Sequence, residues 1–196
     1  MWDDRYSKPG FAYGDQPNEF LAANFAAICP GPVIDLGCGE GRNAVFLAEQ
    51  GYEVTAVDQS AAGLQKAQRL AAERGVSITT VQADLAKLAI EPGHWSGIVS
   101  IFCHLPPELR RSLYASVVRG LRPGGVLLVE AYTPAQVGRG TGGPSDPEWM
   151  LSLGRLKDEL PGLEWIVAQE KEREVREGSF HKGLASVVQF IGRRDA

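Results

Sequence analysis

Cysteine is scarce in this chain. The three residues present, Cys29, Cys38 and Cys103, share no CxxC or other ligand spacing, so neither a disulfide framework nor a structural zinc site is indicated. Long apolar runs are also missing. The longest are strand-sized, well short of the roughly 20 residues a membrane-spanning helix needs, and the opening MWDDRYSKPG has no basic stretch followed by an apolar one. Positive charge is not in excess: 20 Lys plus Arg against 24 Asp plus Glu leave a formal charge of -4, which repels a polyanion unless basic residues gather on one face. No internal repeat or low-complexity tract is visible. These absences lead to the expectation of a soluble, cytoplasmic protein with reduced thiols that engages neither nucleic acid nor membrane.

What remains is an ordinary globular composition. With 196 residues, 44% hydrophobic and 22% charged, the chain suits one domain, 1–196, with a sizeable core. Apolar, β-branched runs at Val33 to Leu36, Val54 to Val57, Val76 to Val81, Ile98 to Phe102 and Val126 to Val129 read as buried strands. Helical patterns lie between them at Gly41 to Gln50, Ser60 to Arg74 and Pro107 to Arg119, with Ser60 as N-cap and Gly75 as a stop. Another is expected over Pro17 to Ile28. Strand alternating with helix predicts a parallel sheet covered on both faces. After the glycine-rich loop Thr133 to Pro147, a helix around Glu148 to Glu159 precedes two β-rich runs, Leu163 to Val175 and Leu184 to Ile191. The link REGSFHKG between them is too short for a crossover helix, so an antiparallel hairpin is expected.

The chemistry gathers at VIDLGCGEGRNAVFLA, Val33 to Ala48, where a strand turns into a helix. Gly37, Gly39 and Gly41 permit a sharp bend and close approach of a ligand, and the helix start offers free N–H groups. The spacing is GxGxG, not the GxGxxG of dinucleotide sites. Asp35, inside the first strand, either pins the glycine turn or meets a cationic ligand. Asp58 ends the second strand, where a carboxylate can accept ribose hydroxyls or cap the next helix. Asp84 follows the third strand. Acids at three successive strand ends suggest an adenosine site.

VIDLGCGEG, VTAVDQS, VQADL and LRPGGVLLVEAY, in that order and spacing, resemble the motifs of class I S-adenosylmethionine-dependent methyltransferases. DLGCGEGRNAVFLA, preceded by the aromatic-rich WDDRYSKPGFAYGDQPNEFL, is most similar to the tellurite-resistance and thiopurine branch. The resemblance implies an α/β, Rossmann-like sheet of seven strands, mostly parallel, with an antiparallel C-terminal hairpin and helices on both faces. Residues 1–30 would form an aromatic lid and covering helix over a core at 31–196. It also implies S-adenosylmethionine as cofactor and a small-molecule acceptor. Gly37 and Gly39, with Cys38 and Arg42, would lie at the amino-acid portion, Asp35 would support that loop, Asp58 with Gln59 would bind the ribose, and Asp84 with Leu85 the adenine. Phe102 and Cys103 would flank the methyl group, and Tyr13 would close over it. FCHLPPE stands where amide and exocyclic-amine methyltransferases carry Asn-Pro-Pro-Tyr, which favours a small or soft acceptor.

His104 is the candidate base, with a pocket-shaping histidine as the alternative. Arg139 in GRGTGG is a candidate anion contact, or else a solvated loop residue. Trp2, Tyr6, Phe11 and Tyr13 would close over the cofactor or pack as a plain hydrophobic cover. His94 is expected to be solvated, His181 to be exposed in the hairpin link, which should return on the ligand side of the sheet, with a role at the cavity rim as the alternative, and EKEREVREG to be a solvated face without chemistry. Three function classes stand: a methyltransferase of a small soft acceptor or another metabolite, a nicotinamide-dependent oxidoreductase, and a cofactor-binding module without catalysis.

Overall fold

Five segments rich in β-branched residues form the parallel part of one sheet; four are largely buried on both faces, while the edge segment TTVQ is not. The structure is a computed structural model that describes residues 2–195; Met1 and Ala196, the outermost positions of the expected domain, lie outside it. The strands are β1 (Pro32–Leu36), β2 (Glu53–Asp58), β3 (Thr79–Gln82), β4 (Trp95–Ile101), β5 (Leu121–Tyr132), β6 (Leu163–Glu177) and β7 (His181–Arg194). Their order is β3-β2-β1-β4-β5-β7-β6, with β7 antiparallel to both neighbours. This is the Rossmann-like arrangement with its reversed hairpin. The order switches direction between β1 and β4, and a cleft opens beyond their carboxyl ends.

The helices are α1 (Trp2–Tyr6), α2 (Glu19–Asn24), α3 (Arg42–Glu49), α4 (Ala61–Glu73), α5 (Pro107–Gly120) and α6 (Leu153–Glu159). On one face, residues of α2, α3 and α4 such as Leu21, Leu47 and Leu64 bury against Val33, Val99 and Leu128. On the other, Leu113, Val117 and Leu156 of α5 and α6 bury against Ile98, Leu127 and Phe190. Among the described residues, no helix is long and apolar enough to cross a membrane.

Local chemistry moves several expected boundaries. The third strand starts at Thr79, not Val76, because Gly75 (φ 71°) closes α4 and the Val76 N–H bonds back to the Ala71 carbonyl. Val76 then packs on Val45 and Leu70, the apolar contact that accompanies such caps. The helix expected over 17–28 is α2 followed by a 3-10 turn, Phe25–Ala27; Asn18 caps it through Leu21 N–H. The segment at 148–159 is likewise interrupted: buried Met150 and Leu151 are extended, and Ser152 caps a shorter α6. α1 is a helix with no strong periodic signal. The hairpin link shrinks to Gly178, Ser179 and Phe180, which makes His181 the first residue of β7.

Candidate active site

The turn after β1 runs left-handed at all three glycines, with φ of 70°, 55° and 85° at Gly37, Gly39 and Gly41. No side chain fits there: a Cβ on Gly37 would sit 2.8 Å from Cys103 Sγ, and one on Gly39 2.7 Å from the Tyr6 hydroxyl. The turn is held by its neighbours on β2. The Gly37 and Cys38 N–H groups donate to the Val57 carbonyl, and Gly39 N–H donates to Asp58 Oδ2 at 2.8 Å. Asp58 Oδ1 accepts from Ser60 N–H at 2.9 Å, while Ser60 itself caps α4. Burial raises the Asp58 carboxyl, opposed by those backbone bonds.

Asp35 lies beneath the turn instead of facing the cleft. It bonds the backbone at Ala44 in α3, and its Oδ2 has no hydrogen-bond partner among the described residues. Burial pushes its carboxyl up to about 7, reinforced by Asp58 and opposed by Arg42. The glycine amides are therefore pinned by Val57 and Asp58, which corrects the expectation that Asp35 pins them.

Across the cleft, Phe102 takes a left-handed conformation (φ 51°) while its N–H donates to the Glu130 carbonyl at 2.7 Å. A non-glycine residue in that region is held by its surroundings and marks a constrained site. The bend turns Phe102, Cys103 and His104 into the cleft. Burial pushes the Cys103 thiol up to about 12 and raises that of Cys38 as well, so neither is a poised thiolate. His104 stacks on Tyr132, its Nε2 accepts from the Tyr132 N–H at 3.0 Å, and the ring also bonds the Phe102 backbone. Burial holds it down at about 3. Both ring nitrogens serve the backbone. The geometry thus matches the pocket-shaping alternative for His104 and leaves no lone pair for base work.

A cavity of about 930 Å³ unites Gly37, Cys38, Gly39, Arg42, Asp58, Gln59, Asp84, Leu85, Phe102, Cys103, His104 and Tyr13. Of the expected site residues, Asp35 and Arg139 lie outside its wall. Arg139 turns away, with Nε on the Ala135 carbonyl and Nη2 on Glu172 at 2.5 Å; its loop reaches the cavity through Gly142 to Asp146. Gln136 sets that loop, bonding Thr141 and Gly142 from one end and the Ser186 N–H from the other. The N-terminal segment supplies a cation of its own: Arg5 lines the cavity, donates to the Tyr13 hydroxyl at 2.5 Å and lies 4.6 Å over the Phe180 ring. Trp2 and Tyr6 line it too, whereas Phe11 packs on the α3–α4 core. His94 sits exposed near Glu91 at the far end of β4.

Residues 33–125 match a family described as a methyltransferase domain. The sheet they lie in has the fold of solved S-adenosylmethionine-dependent methyltransferases. The chain is 31% identical over 148 residues to the 2-heptyl-1-hydroxyquinolin-4(1H)-one methyltransferase of Mycobacteroides abscessus, an alignment covering 72% of this chain and 65% of that protein. The chain thus spans just under two thirds of that relative. In fold, it is similar to TehB from Haemophilus influenzae (TM-score 0.73, 22% identity, 90% of this chain and 62% of that one). It is also similar to a protein solved in work on the conversion of a disulfide bond into a thioacetal group during echinomycin biosynthesis (TM-score 0.76, 20% identity, 98% and 88%).

Beyond the matched segment the chain buries a second set of charged residues. EKEREVREG has the expected solvated face in Glu170, Lys171, Glu172, Glu174 and Arg176, but Arg173, Val175 and Glu177 turn to the inner face of β6. Arg173 clamps the fully buried Glu130 of β5 at 2.8 and 2.7 Å, and Asn18 and Gln189 donate to the same carboxylate. Glu177 accepts from Arg42 at 2.7 Å and from Asn18 at 2.8 Å, and it meets His181 Nδ1 at 3.3 Å. His181 is buried and lines the cavity, which fits the rim alternative and not simple exposure. Two signals were available: the period-two spacing of Arg173, Val175 and Glu177, and a carboxylate inside the apolar VLLVEAY.

Proposed function

We propose that the protein transfers a methyl group from S-adenosylmethionine to a small soft acceptor, a thiol or a chalcogen oxyanion. The observation that carries this reading is the division of one cavity into two unlike ends: a glycine turn with carboxylates at one, and an aromatic cup with a guanidinium at the other. The first end fits the cofactor, since no side chain fits on the turn and the Asp58 carboxylate retains acceptor capacity beyond its bonds to the backbone. Gly37 and Gly39 would take the amino-acid portion, Asp58 and Gln59 the ribose, and Asp84 and Leu85 the adenine. When bound, the cofactor supplies an electrophilic sulfonium methyl. Residues 1–30 supply an aromatic lid and a covering helix over a core at 31–196.

At the other end Tyr13, Phe102 and Phe180 exclude water, and Arg5 takes the place first expected for Arg139 as the anion contact. A polarizable nucleophile needs mainly alignment there, so positioning is the protein's chief task. A second reading, a hydroxylated aromatic acceptor, is favoured by the aromatic cup together with the relative named for a hydroxyquinolone.

The test is transfer of labelled methyl to selenite, tellurite, small thiols, hydroxyquinolones, transfer RNA and protein in parallel. Label entering small thiols or the oxyanions supports the first reading. Label confined to hydroxyquinolones supports the second, and label confined to macromolecules overturns both.

A further inference from the structure

We propose that His181 is the general base for acceptors that arrive carrying a proton, and that Glu177 is the positioning residue that aims it. The proposal rests on the small-acceptor reading above.

His181 is the only histidine, among the described residues, that meets both a carboxylate and the cavity. Its Nδ1 faces Glu177 Oε2 at 3.3 Å. Glu177 is ionised: burial alone would raise it, but the His181 hydrogen bond and Arg42 outweigh that and hold it at about 2. An ionised carboxylate can only accept, so the proton sits on Nδ1 and the lone pair on Nε2. No protein hydrogen bond among the described residues reaches Nε2, which leaves it to the cavity. The ring is fixed from three sides, with centroids 4.4 Å from Tyr13, 4.7 Å from Phe102 and 5.3 Å from Tyr132. The Phe102 contact brings Nε2's ring beside the strained bend that the methyl group is expected to face.

Burial above all favours the neutral form of this imidazole. Burial lowers it from its ordinary value, and Arg42 from α3 and Arg5 from α1 push the same way, while Glu177 on β6 opposes them. The titratable groups also facing it, Tyr13, Tyr132 and His104, stay uncharged at neutral pH: burial raises both phenols and depresses His104. The step balances. The acceptor S–H or O–H gives its proton to Nε2, the new S–C or O–C bond forms, and the methyl–sulfonium bond breaks with its electron pair passing to the cofactor sulfur. The imidazolium then releases its proton to solvent. An acceptor that is already an anion skips the first transfer.

The decisive measurement compares wild-type and His181→Asn protein across thiols of rising acidity. For an ordinary alkyl thiol the variant should lose about 100-fold or more in kcat/KM, for an aromatic thiol ionised at pH 8 less than about threefold, and in S-adenosylmethionine affinity less than about threefold. In Glu177→Gln the midpoint of the kcat/KM profile should move to lower pH, a shift that a merely structural role would not produce. Equal losses for acidic and ordinary thiols, or an unmoved midpoint, overturn the proposal. A readout independent of turnover is carbethoxylation of the wild-type protein by diethylpyrocarbonate. His181 should be modified well ahead of His104, at a rate rising with pH through a midpoint below the ordinary imidazole value. If the wild type methylates none of the acceptors, the small-acceptor reading fails. The state of His181 is then decided by this labelling alone, and a His181 as inert as His104 overturns its assignment as a base.

Discussion

Asp58 Oδ2 accepts the Gly39 N–H at 2.8 Å, so the carboxylate that ends β2 also holds the turn that ends β1. The two ends of the expected cofactor site are thereby one unit. Asp58→Ala should weaken S-adenosylmethionine binding about tenfold or more, because a ribose contact to a charged acceptor and the turn's anchor are lost together; a hydrogen bond to a charged group is worth about 1.5 to 3 kcal/mol. Isothermal calorimetry checks it, and unchanged affinity removes Asp58 from the site.

His104→Ala should cost stability and leave the pH profile of turnover in place. The Tyr132 N–H loses its acceptor and the stacked ring leaves a void, together on the order of 2 to 4 kcal/mol. Denaturant unfolding measures the first effect, and kcat/KM against pH the second. A lost ionisation in the variant would return His104 to the role of base.

Arg5 and Arg139 should separate cleanly in kinetics. Arg5→Ala is expected to raise KM for an anionic acceptor more than for a neutral thiol, since only the anion loses a charge-assisted contact. Arg139→Ala, whose guanidinium is spent on Glu172 and Ala135, should leave KM for both within about twofold.

Asp35 should make the unliganded protein less stable as pH rises. Its folded carboxyl titrates at about 7 against an ordinary 3.8. The folded state therefore retains a proton that the unfolded chain has given up, and this contribution to stability falls between pH 4 and 7 and is flat above. At roughly 1.4 kcal/mol per unit it amounts to a few kcal/mol at most. Thermal melts of wild type and Asp35→Asn across pH 4 to 8 check the sign. The wild type should be at its best relative to the variant at the acid end.

The strands, the glycine turn and the acids at three strand ends were legible in the sequence, because each depends on local rules. A buried strand needs an unbroken apolar run, a left-handed turn needs glycine, and a helix start wants Ser60. The antiparallel hairpin was legible for the same reason: REGSFHKG is too short for a crossover. Boundaries slipped where a cap competed with a strand, as at Val76, or where a buried pair interrupted a helix, as at Met150 and Leu151.

Which side chains face one another was decided by the tertiary structure. His104 and Arg139 have suitable chemistry, but backbone bonds occupy one and Glu172 the other. His181 and Glu177, four residues apart across a tight hairpin, were read as exposed because charge in a sequence normally marks solvent. Only the packing of β6 beside β7, with Arg42 arriving from α3 and Asn18 from ahead of α2, buries and pairs those charges. Sequence by itself determined the elements and the cofactor turn, since these follow from neighbours along the chain. The acceptor end depended on contacts such as Arg42 to Glu177 and Asn18 to Glu177, between residues more than a hundred positions apart, whose pairing no local pattern encodes.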